Sequence, residues 1–243
     1  MKGQPYPVIK TTDWVRDSAN GKVIVDPQTG LPALDPNEKV FGNTNPRDIL
    51  GINTSVSYKG FTLSAVIDYR GGNYIMNALG QNMDFTGVSW HSAENGRQRF
   101  IFPNSEIPDG TGKYIPNTSV AISNGGNIGG AGFWPTLYTN GIGTPYITSA
   151  AFWKLREVAL SYEVPARALS KTSFIKRITV GLVGRNLLML RPKSNFWSDP
   201  EFNDNSTTGI GTNNTGTGNA IGSTSEFQTP PTRLYGANIT ITF

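Results

Sequence analysis

The last twelve residues of the chain, Thr232–Phe243, alternate between apolar and polar side chains. Counted back from the end, every second residue as far as Tyr235 is apolar or aromatic, and the positions between them are polar or small except for Leu234. Side chains of a β-strand point alternately to its two faces, so the pattern predicts a strand with one apolar and one polar face. At about 3.3 Å per residue the strand is long enough to cross a tilted outer-membrane barrel wall, which needs about 9–11 residues. A strand of a soluble β-sandwich shows the same alternation, so this segment alone leaves both architectures open.

A second segment predicts a β-hairpin. Apolar residues occupy alternate positions in Ile49–Tyr58 and again in Phe61–Arg70, and the Lys-Gly pair between them is a two-residue turn signal. The turn is flanked by a Tyr and a Phe, as girdle aromatics flank turns at a membrane interface. The polar face of the first strand carries only small residues. A water-filled or plugged lumen tolerates such a face better than a sandwich core does.

The same periodicity predicts three more strands. Ala150–Val164 is a long strand in which Lys154 and Arg156 share the register of the apolar residues. We therefore expect either a β-bulge near Arg156 or that end of the strand lying above the apolar band. Ile175–Leu190 is predicted as the next strand, and a short strand is predicted around Tyr6–Trp14.

The connections between the six predicted strands are alternately long and short. Long loops are predicted at about 15–47, 71–149 and 191–231, and short turns at 59–60 and 165–173. We expect no strand pair within 71–149, and a short helix at 74–83. This alternation is typical of an outer-membrane barrel with short periplasmic turns and long extracellular loops. About six strands cannot close around a lumen, so we expect the C-terminal part of a larger antiparallel transmembrane β-barrel.

Composition excludes several other classes of protein. The chain has 243 residues, a formal net charge of +4 and no cysteine, so neither a disulfide framework nor a thiolate metal site is expected. Charges are spread along the sequence, and no basic patch indicates a nucleic-acid partner. No apolar run reaches about 18 residues, so no transmembrane helix is predicted. The residues after Met1 contain no signal-peptide core, so we expect an exported protein of this kind to begin elsewhere.

Three blocks of sequence, in order along the chain, carry a family resemblance. The first is Gly42–Tyr69 (GNTNPRDILGINTSVSYKGFTLSAVIDY). The second combines Phe152–Pro165 (FWKLREVALSYEVP) with Ile178–Leu188 (ITVGLVGRNLL), and the third combines Asp199–Phe202 (DPEF) with Pro231–Phe243. Together they resemble the C-terminal end of the SusC/RagA-type TonB-dependent transporters, and they cover most of the chain outside two long loops.

The resemblance implies an outer-membrane importer of glycan oligomers or peptides. Members of this family are barrels of about 22 strands with an N-terminal plug, are energised through TonB and pair with a SusD-like surface lipoprotein. The implied partners are therefore that lipoprotein, the rest of the barrel and the plug, TonB through a part that this sequence does not contain, the barrel-insertion machinery and outer-membrane lipid. Phe243 resembles the family's C-terminal assembly signal. The expected location is the Gram-negative outer membrane, and neither enzymatic activity nor a cofactor is expected.

Five aromatic residues within 71–149 are candidates for contact with substrate or partner, because aromatic faces stack on sugars and pack against proteins. The interpretation that we prefer is that they hold the loop together or form part of a partner interface. They are Trp90, Phe133, Trp134, Tyr138 and Tyr146.

Charged residues on the predicted lumen face form a second group of candidates. Asp68, Arg70 and Arg185 could contact substrate, but pairing with the plug is the interpretation that we prefer.

The remaining polar residues do not predict catalysis. His91 is the only histidine, and without a second histidine or a cysteine a zinc site is not expected. Asp199, Glu201 and Glu226 lie in one loop, but a glycosidase needs two carboxyl groups that face each other across a bond. A bound cation held by Asp199, Glu201 and Asp204 is the less favoured alternative to solvated carboxylates.

A soluble extracellular β-rich module, such as an adhesin or a glycan-binding sandwich, is the alternative to the barrel. The two differ in what the apolar face of the strands meets, which is lipid in a barrel and a second sheet in a sandwich.

Overall fold

The computed structural model describes residues 3, 6–123, 132–139, 141–170, 174–201, 222–224 and 231–243, without the side chains of 138 and 139. These residues form three helices, which are α1 (Ala78–Thr86), α2 (Phe133–Thr139) and α3 (Ala166–Leu169), and 3-10 turns at His91–Ala93 and Thr144–Tyr146. The strands over the same ranges are β1 (Val8–Trp14), β2 (Val23–Ile24), β3 (Leu34–Asn43), β4 (Asp48–Tyr58), β5 (Phe61–Gly71), β6 (Tyr74–Met76), β7 (Ser105–Pro108), β8 (Tyr114–Pro116), β9 (Ile147–Ser149), β10 (Phe152–Glu163), β11 (Arg177–Leu190) and β12 (Leu234–Thr242).

The chain divides into two compact units, which alternate along the sequence. The first unit contains Met1–Thr44, Tyr74–Thr148 and Asn203–Gln228, and the second contains Asn45–Asn73, Ser149–Phe202 and Thr229–Phe243. Most of the predicted strands lie in the second unit, and most of the predicted loop residues lie in the first.

The second unit is a five-stranded sheet in the order β12-β11-β10-β5-β4, and every neighbouring pair is antiparallel. This confirms the prediction of an all-β chain with antiparallel strands. Five of the predicted strands are in this sheet, and the sixth, β1, pairs with β3 in the first unit. Among the described residues the sheet is open, with β4 and β12 as its edges.

The turn between β4 and β5 explains how the hairpin closes. Lys59 and Gly60 both have positive φ angles, 48° and 88°. Two consecutive positive φ values define the type I′ turn, whose twist matches that of the flanking strands. The predicted two-residue turn is therefore confirmed.

The strand register places the apolar residues of all five strands on one face. One row across the sheet runs Val56, Leu63, Leu160, Leu182 and Ala237, each facing the next in the register. Within that row Val56 is 66% exposed and Leu182 is 58% exposed. Among the described residues all the buried hydrophobic side chains except Ala150 and Phe152 belong to the first unit. The apolar face of the sheet is thus not a protein core.

Aromatic side chains lie at both ends of this apolar face. Phe61 and Tyr162 face each other beside the hairpin turn, with ring centroids 4.4 Å apart. Tyr69 and Trp153 face each other at the opposite end, with ring centroids 4.7 Å apart. Phe61 and Tyr69 are eight positions apart on β5, which at 3.3 Å per residue is about 26 Å of strand.

The first unit contains short sheets and a hydrophobic core. β2, β7 and β8 form one sheet, in which β2 and β7 are parallel, and β6 pairs with β9 in another. The expectation of no strand pair within 71–149 is therefore wrong. These strands have three or four residues, too few for alternation to be visible, and β7 and β8 both end in proline. The core consists of Val23, Val25, Phe102, Ile122, Phe133, Trp134, Leu137 and Ile142.

Two further expectations within the first unit need correction. The helix expected at 74–83 begins only at Ala78, because Tyr74–Met76 is a strand, and it ends at Thr86. The polar stretch expected as loop at about 15–47 contains β3, whose apolar alternation is interrupted by Pro36 and by charged residues. No helix in the described part of the chain is long and apolar enough to cross a membrane.

Candidate functional site

A β-bulge in β10 builds the most strongly charged site of the second unit. In the register with β5, Leu155 faces Ile67 and Glu157 faces Val66, so Arg156 is an extra residue in the ladder. The same shift appears in the register with β11. Of the two alternatives that the sequence left open, a bulge near Arg156 or a strand end above the apolar band, the register confirms the bulge. It lets Lys154 and Arg156 both lie on the polar face while the apolar residues after Glu157 stay on the other face.

The polar face at this end of the sheet carries a group of six charged side chains, which we call the ion-pair cluster. Three are cations from the strands, one is an anion from β5, and two are anions from the segment after β11. They are Arg70, Lys154, Arg156, Asp68, Asp199 and Glu201.

Lys154 connects the strand to both loop carboxylates. Its Nζ donates to Asp199 Oδ2 at 2.6 Å and to Glu201 Oε2 at 2.5 Å. Lys154 is only 5% exposed. An ammonium group that is buried to this extent needs anionic partners, because the loss of hydration otherwise costs several kcal/mol.

Arg156 holds Glu201 with two nitrogens. Nη1 donates to Oε2 and Nη2 donates to Oε1, each at 2.5 Å. Nη2 also lies 2.5 Å from Asp68 Oδ2. Arg70 completes the group more loosely, with Nη1 3.6 Å from Glu201 Oε1 and Nε 3.4 Å from Asp68 Oδ2. The bidentate contact between Arg156 and Glu201 matches the planar guanidinium to the planar carboxylate, and contacts of this kind are among the strongest ion pairs in proteins.

An aromatic ring lies against the cations of the cluster. Phe152 is 4% exposed. Its ring centroid lies 5.0 Å from Lys154 Nζ, 5.6 Å from Arg156 Cζ and 6.0 Å from Arg70 Cζ. Cations within about 6 Å of a ring face are attracted by its quadrupole. Phe152 thus adds to the stabilisation of three neighbouring positive charges.

Glu201, which lies outside the strands, is held ionised by this environment. Burial raises its pKa, but hydrogen bonds from Arg156 and Lys154 and their positive charges outweigh burial, and the pKa falls to about 2. The Glu201 carboxylate therefore stays charged throughout the physiological pH range.

Two more ion pairs lie on the polar face. Arg185 Nε donates to Glu157 Oε2 at 2.8 Å, and Arg177 Nε lies 3.3 Å from Glu163 Oε1. Arg177, Glu163 and Arg185 are exposed, and Glu157 is half-buried. Of the two arginines proposed from the sequence as lumen contacts, Arg70 belongs to the ion-pair cluster and Arg185 pairs with Glu157. Their contact with substrate or plug stays a prediction.

The aromatic candidates have very different exposures. Trp90 is 61% exposed, whereas Phe133 and Trp134 belong to the core of the first unit and Tyr146 is fully buried. The side chain of Tyr138 lies outside the described residues. Packing within the unit accounts for the three buried rings. Contact of the aromatic candidates with a ligand or partner stays a prediction, which the burial of these three does not favour.

A second polar cluster lies in the first unit around Asp84. Tyr146 donates to Asp84 Oδ2 at 2.9 Å, and His91 Nδ1 lies 2.9 Å from the same oxygen. The ring of Trp134 lies 4.3 Å from that of His91. Burial, together with the charge of Asp84 and this hydrogen bond, raises the pKa of Tyr146. Because Asp84 lies in α1 and His91 lies in the 3-10 turn at His91–Ala93, their contact links the helix to this turn.

The cation partners of Asp199 and Glu201 come from the protein itself. The sequence left open a bound metal ion at Asp199, Glu201 and Asp204, and the structure pairs the first two with Lys154 and Arg156. Asp204 and Glu226 lie outside the described residues. Within the described ranges no group of His, Cys, Asp and Glu could hold a metal ion.

Both halves of the ion-pair cluster are visible in the sequence, but the contact between them is not. Lys154 and Arg156 are spaced by two residues on a strand, and so are Asp199 and Glu201 in the loop. This matched spacing was the available signal. The matched spacing predicts a contact only if the chain after β11 returns to the sheet at this position, and strand periodicity does not determine that path.

No protein-family model and no curated protein matches the sequence. Among solved structures, the chain is similar to the RagAB peptide importer in its "closed-closed" state (17% identity, TM-score 0.54) and in its "open-open" state (17%, 0.58). It is also similar to a structure of the RagAB peptide transporter (16%, 0.56). These matches cover 97% of this chain but only 22% or 23% of the other chains, so it spans less than a quarter of their length. At such identities the likeness shows the fold.

Proposed function

We propose that the chain forms part of the wall and loops of a TonB-dependent importer of SusC type in the Gram-negative outer membrane. The imported material is glycan oligomers or peptides, and the chain itself has no catalytic role. The observation that carries the proposal is the exposed apolar face of the five-stranded sheet, with aromatic side chains at both of its ends.

The dimensions of this face suit a bilayer. A barrel presents an outward apolar band about 25 Å tall, between two aromatic girdles. The aromatic pairs at Phe61–Tyr162 and Tyr69–Trp153 are separated by about 26 Å along β5, which a strand tilt of about 40° reduces to about 20 Å along the membrane normal, slightly less than the height of this band. A soluble protein rarely exposes a contiguous apolar surface of this extent. A sandwich would need a second sheet packed over the face, which would bury it, whereas Val56 and Leu182 on this face are 66% and 58% exposed.

The opposite face suits a watery lumen. Each of the three inner strands carries charged side chains on this face. These side chains form ion pairs within the second unit, namely Asp68–Arg156, Glu157–Arg185 and Glu163–Arg177. Charges of this kind on the lipid side would be costly, which supports a lumen on the charged side and lipid on the apolar side.

The two edges of the sheet indicate that further strands pair with it in the membrane. Strands β4 and β12 present unpaired backbone groups on their outer sides among the described residues. In hydrocarbon each unsatisfied backbone group costs several kcal/mol, so a membrane sheet has to close. In this proposal the rest of the barrel pairs with both edges, and a plug fills the lumen.

The partners follow from the family resemblance and from the likeness in fold to the RagAB peptide importer. We propose a SusD-like surface lipoprotein on the outer side, TonB acting through another part of the protein, and barrel-insertion machinery that reads Phe243. Phe243 is 68% exposed and stacks on Phe174 at 6.3 Å, so its ring is accessible.

A pair of adjacent substitutions on β5 tests the proposal. Ile67 lies on the apolar face and Val66 on the polar face, where Val66 faces Glu157 in the register. Ile67→Arg should destabilise the membrane-inserted protein by about 2–4 kcal/mol if it lies near the bilayer midplane. Val66→Arg should be tolerated because the new guanidinium lies beside a carboxylate and water.

The measurement is the yield of heat-modifiable, protease-resistant protein in outer-membrane fractions. Equal yields for Ile67→Arg, Val66→Arg and the unsubstituted protein would contradict the proposal, as would full solubility without detergent. Either result would favour the soluble β-rich binding module.

A further inference from the structure

The ion-pair cluster is divided unequally between the strands and the loop. The strands contribute Arg70, Lys154 and Arg156 and only one anion, Asp68. The loop segment contributes two anions, Asp199 and Glu201. Without the loop, the sheet would therefore present a net charge of +2 at this position on its polar face.

The cations on the strands are arranged as they would be for a bound carboxylate ligand. Arg156 grips both oxygens of Glu201, and Lys154 bridges Glu201 and Asp199. Phe152 forms an apolar base beneath them. The ion pairs of Lys154 given by the structure are both with the loop, and this side chain is 95% buried, since its exposure is 5%.

We propose that Arg70, Lys154 and Arg156 form a binding site for acidic peptides, which the Asp199-Pro200-Glu201 segment occupies as an internal ligand. The ligand class is a peptide that carries two carboxylates at the spacing of an Asp-x-Glu sequence. The proposal rests on the proposed function in one respect, namely that this face is open to water inside an importer.

Competition decides when such a site is free. A tethered segment has an effective concentration in the millimolar range, so a free peptide competes poorly with it. The low pKa of Glu201 means that mild acidification does not release the segment. Release requires either an acidic ligand at high local concentration or movement of the loop, and the vacated cations then need a replacement anion. A cavity of about 210 Å³ beside Lys154 and Asp199, lined also by Met189 and Arg233, provides adjoining space.

The test removes the internal ligand and supplies it from outside. The intact protein is purified in detergent as the unsubstituted form, as Asp199→Asn/Glu201→Gln and as Glu163→Gln. Glu163→Gln is the matched control because Glu163 lies on the same face and pairs with Arg177, at the other end of β10. Binding of a fluorescein-labelled, C-terminally amidated Asp-Pro-Glu peptide is measured by anisotropy, and the matched probe is Asn-Pro-Gln.

We expect the double variant to bind Asp-Pro-Glu at least tenfold more tightly than the unsubstituted protein does, and Glu163→Gln to bind as the unsubstituted protein does. Addition of Lys154→Met to the double variant should abolish the gain, and Asn-Pro-Gln should bind at least tenfold more weakly. No gain in the double variant overturns the proposal, and so does an equal gain with Glu163→Gln or with Asn-Pro-Gln.

The single variant Glu201→Gln carries the same test if the double variant does not assemble, because Asp199 still pairs with Lys154. Heat-modifiable mobility of each preparation keeps the two proposals separate. Assembled protein that fails to bind overturns only this inference, whereas failure of the unsubstituted protein to assemble in membranes overturns the proposed function.

Discussion

Arg156 Nη2 lies 2.5 Å from Asp68 Oδ2, although Arg156 is not opposite any residue of β5 in the strand register. The contact exists because β10 carries one residue more than β5 at this position. Leu155 and Glu157 face the adjacent residues Ile67 and Val66, so the extra residue is displaced from the ladder and its side chain is directed to the polar face. A bulge commonly redirects a side chain in this way.

The first prediction concerns deletion of the bulge residue. Deleting Arg156 should preserve membrane assembly, because the remaining residues of β10 still alternate correctly against β5. Deleting Ala159, which faces Ser64 in the regular part of the ladder, should abolish assembly. A one-residue shift there moves either half of the strand to the wrong face.

The measurement is the amount of protease-resistant protein in membrane fractions for the two deletions. Equal loss in both would show that the bulge is a required part of the strand rather than an added residue. Loss confined to the Ala159 deletion is the expected result.

The second prediction concerns the pH dependence of stability. In the unfolded chain Glu201 titrates near its ordinary pKa of 4.5, and in the folded protein the pKa is about 2. A depressed folded pKa stabilises the protein fully above the unfolded value, and the contribution is lost as pH falls from about 4.5 towards about 2. The difference in free energy of unfolding between the unsubstituted protein and Glu201→Gln should therefore be constant above about pH 5.5 and shrink below it.

Guanidinium unfolding of the detergent-solubilised protein between pH 7 and pH 2.5 measures this difference. Glu163→Gln serves as the control, since the exposed pair of Glu163 with Arg177 should contribute little to the free energy of unfolding. A difference that stays constant down to pH 2.5 would contradict the assignment of Arg156 and Lys154 as partners of Glu201.

The five-stranded sheet of the second unit could be predicted from the sequence, whereas the short strands of the first unit could not. β4, β5, β10, β11 and β12 have nine to fourteen residues each, so alternation is visible over several periods. The bulge at Arg156 was one of two alternatives that the sequence left open, because Lys154 and Arg156 fall in an apolar register. The strands β7 and β8 have only four and three residues, and β2, with which β7 pairs, is some 80 positions away along the chain.

The ion-pair cluster could be predicted in part, since its residues can be named from the sequence but their contacts cannot. Each of its charged residues is visible in the sequence, where Asp68, Arg70, Asp199 and Glu201 are candidates for binding. Their common location depends on how residues 191–201 return to the sheet. Polar loops carry no periodic signal for that path, so partners for Glu201 could not be chosen among the 21 Lys and Arg residues.

The third prediction concerns the buried tyrosine of the first unit. Tyr146→Phe keeps the shape of the ring but removes the hydroxyl that donates to Asp84 Oδ2. Asp84 is fully buried, and loss of one donor to a buried carboxylate should cost about 1–3 kcal/mol. The expected result is faster amide hydrogen exchange in α1, where Asp84 is located.

Tyr114→Phe is the matched control, because Tyr114 is 42% exposed. It should change stability by no more than about 0.5 kcal/mol, as exposed substitutions usually do. Unchanged exchange in α1 for Tyr146→Phe would mean that the hydroxyl does not stabilise the helix.

The fourth prediction concerns the hairpin turn. Gly60 has a φ of +88°, and a Cβ at this position would lie 2.9 Å from the backbone oxygen of Glu163. That oxygen belongs to a backbone that is itself fixed, since Glu163 N donates to Gly60 O at 2.8 Å. Gly60→Ala therefore combines left-handed backbone strain of about 1–2 kcal/mol with a contact that only backbone movement can relieve.

Gly51 on β4 is the matched control for this substitution. Its φ is not in the left-handed region, and a Cβ there would meet no atom within 4 Å. Gly51→Ala should be neutral or should stabilise the strand by up to about 1 kcal/mol, because alanine loses less backbone entropy than glycine. The midpoint of guanidinium unfolding should therefore fall for Gly60→Ala, and it should stay unchanged or rise for Gly51→Ala. The free energies of unfolding of the two variants should differ by at least the strain of about 1–2 kcal/mol at residue 60. Equal midpoints would show that the turn relaxes around the new methyl group without loss of stability.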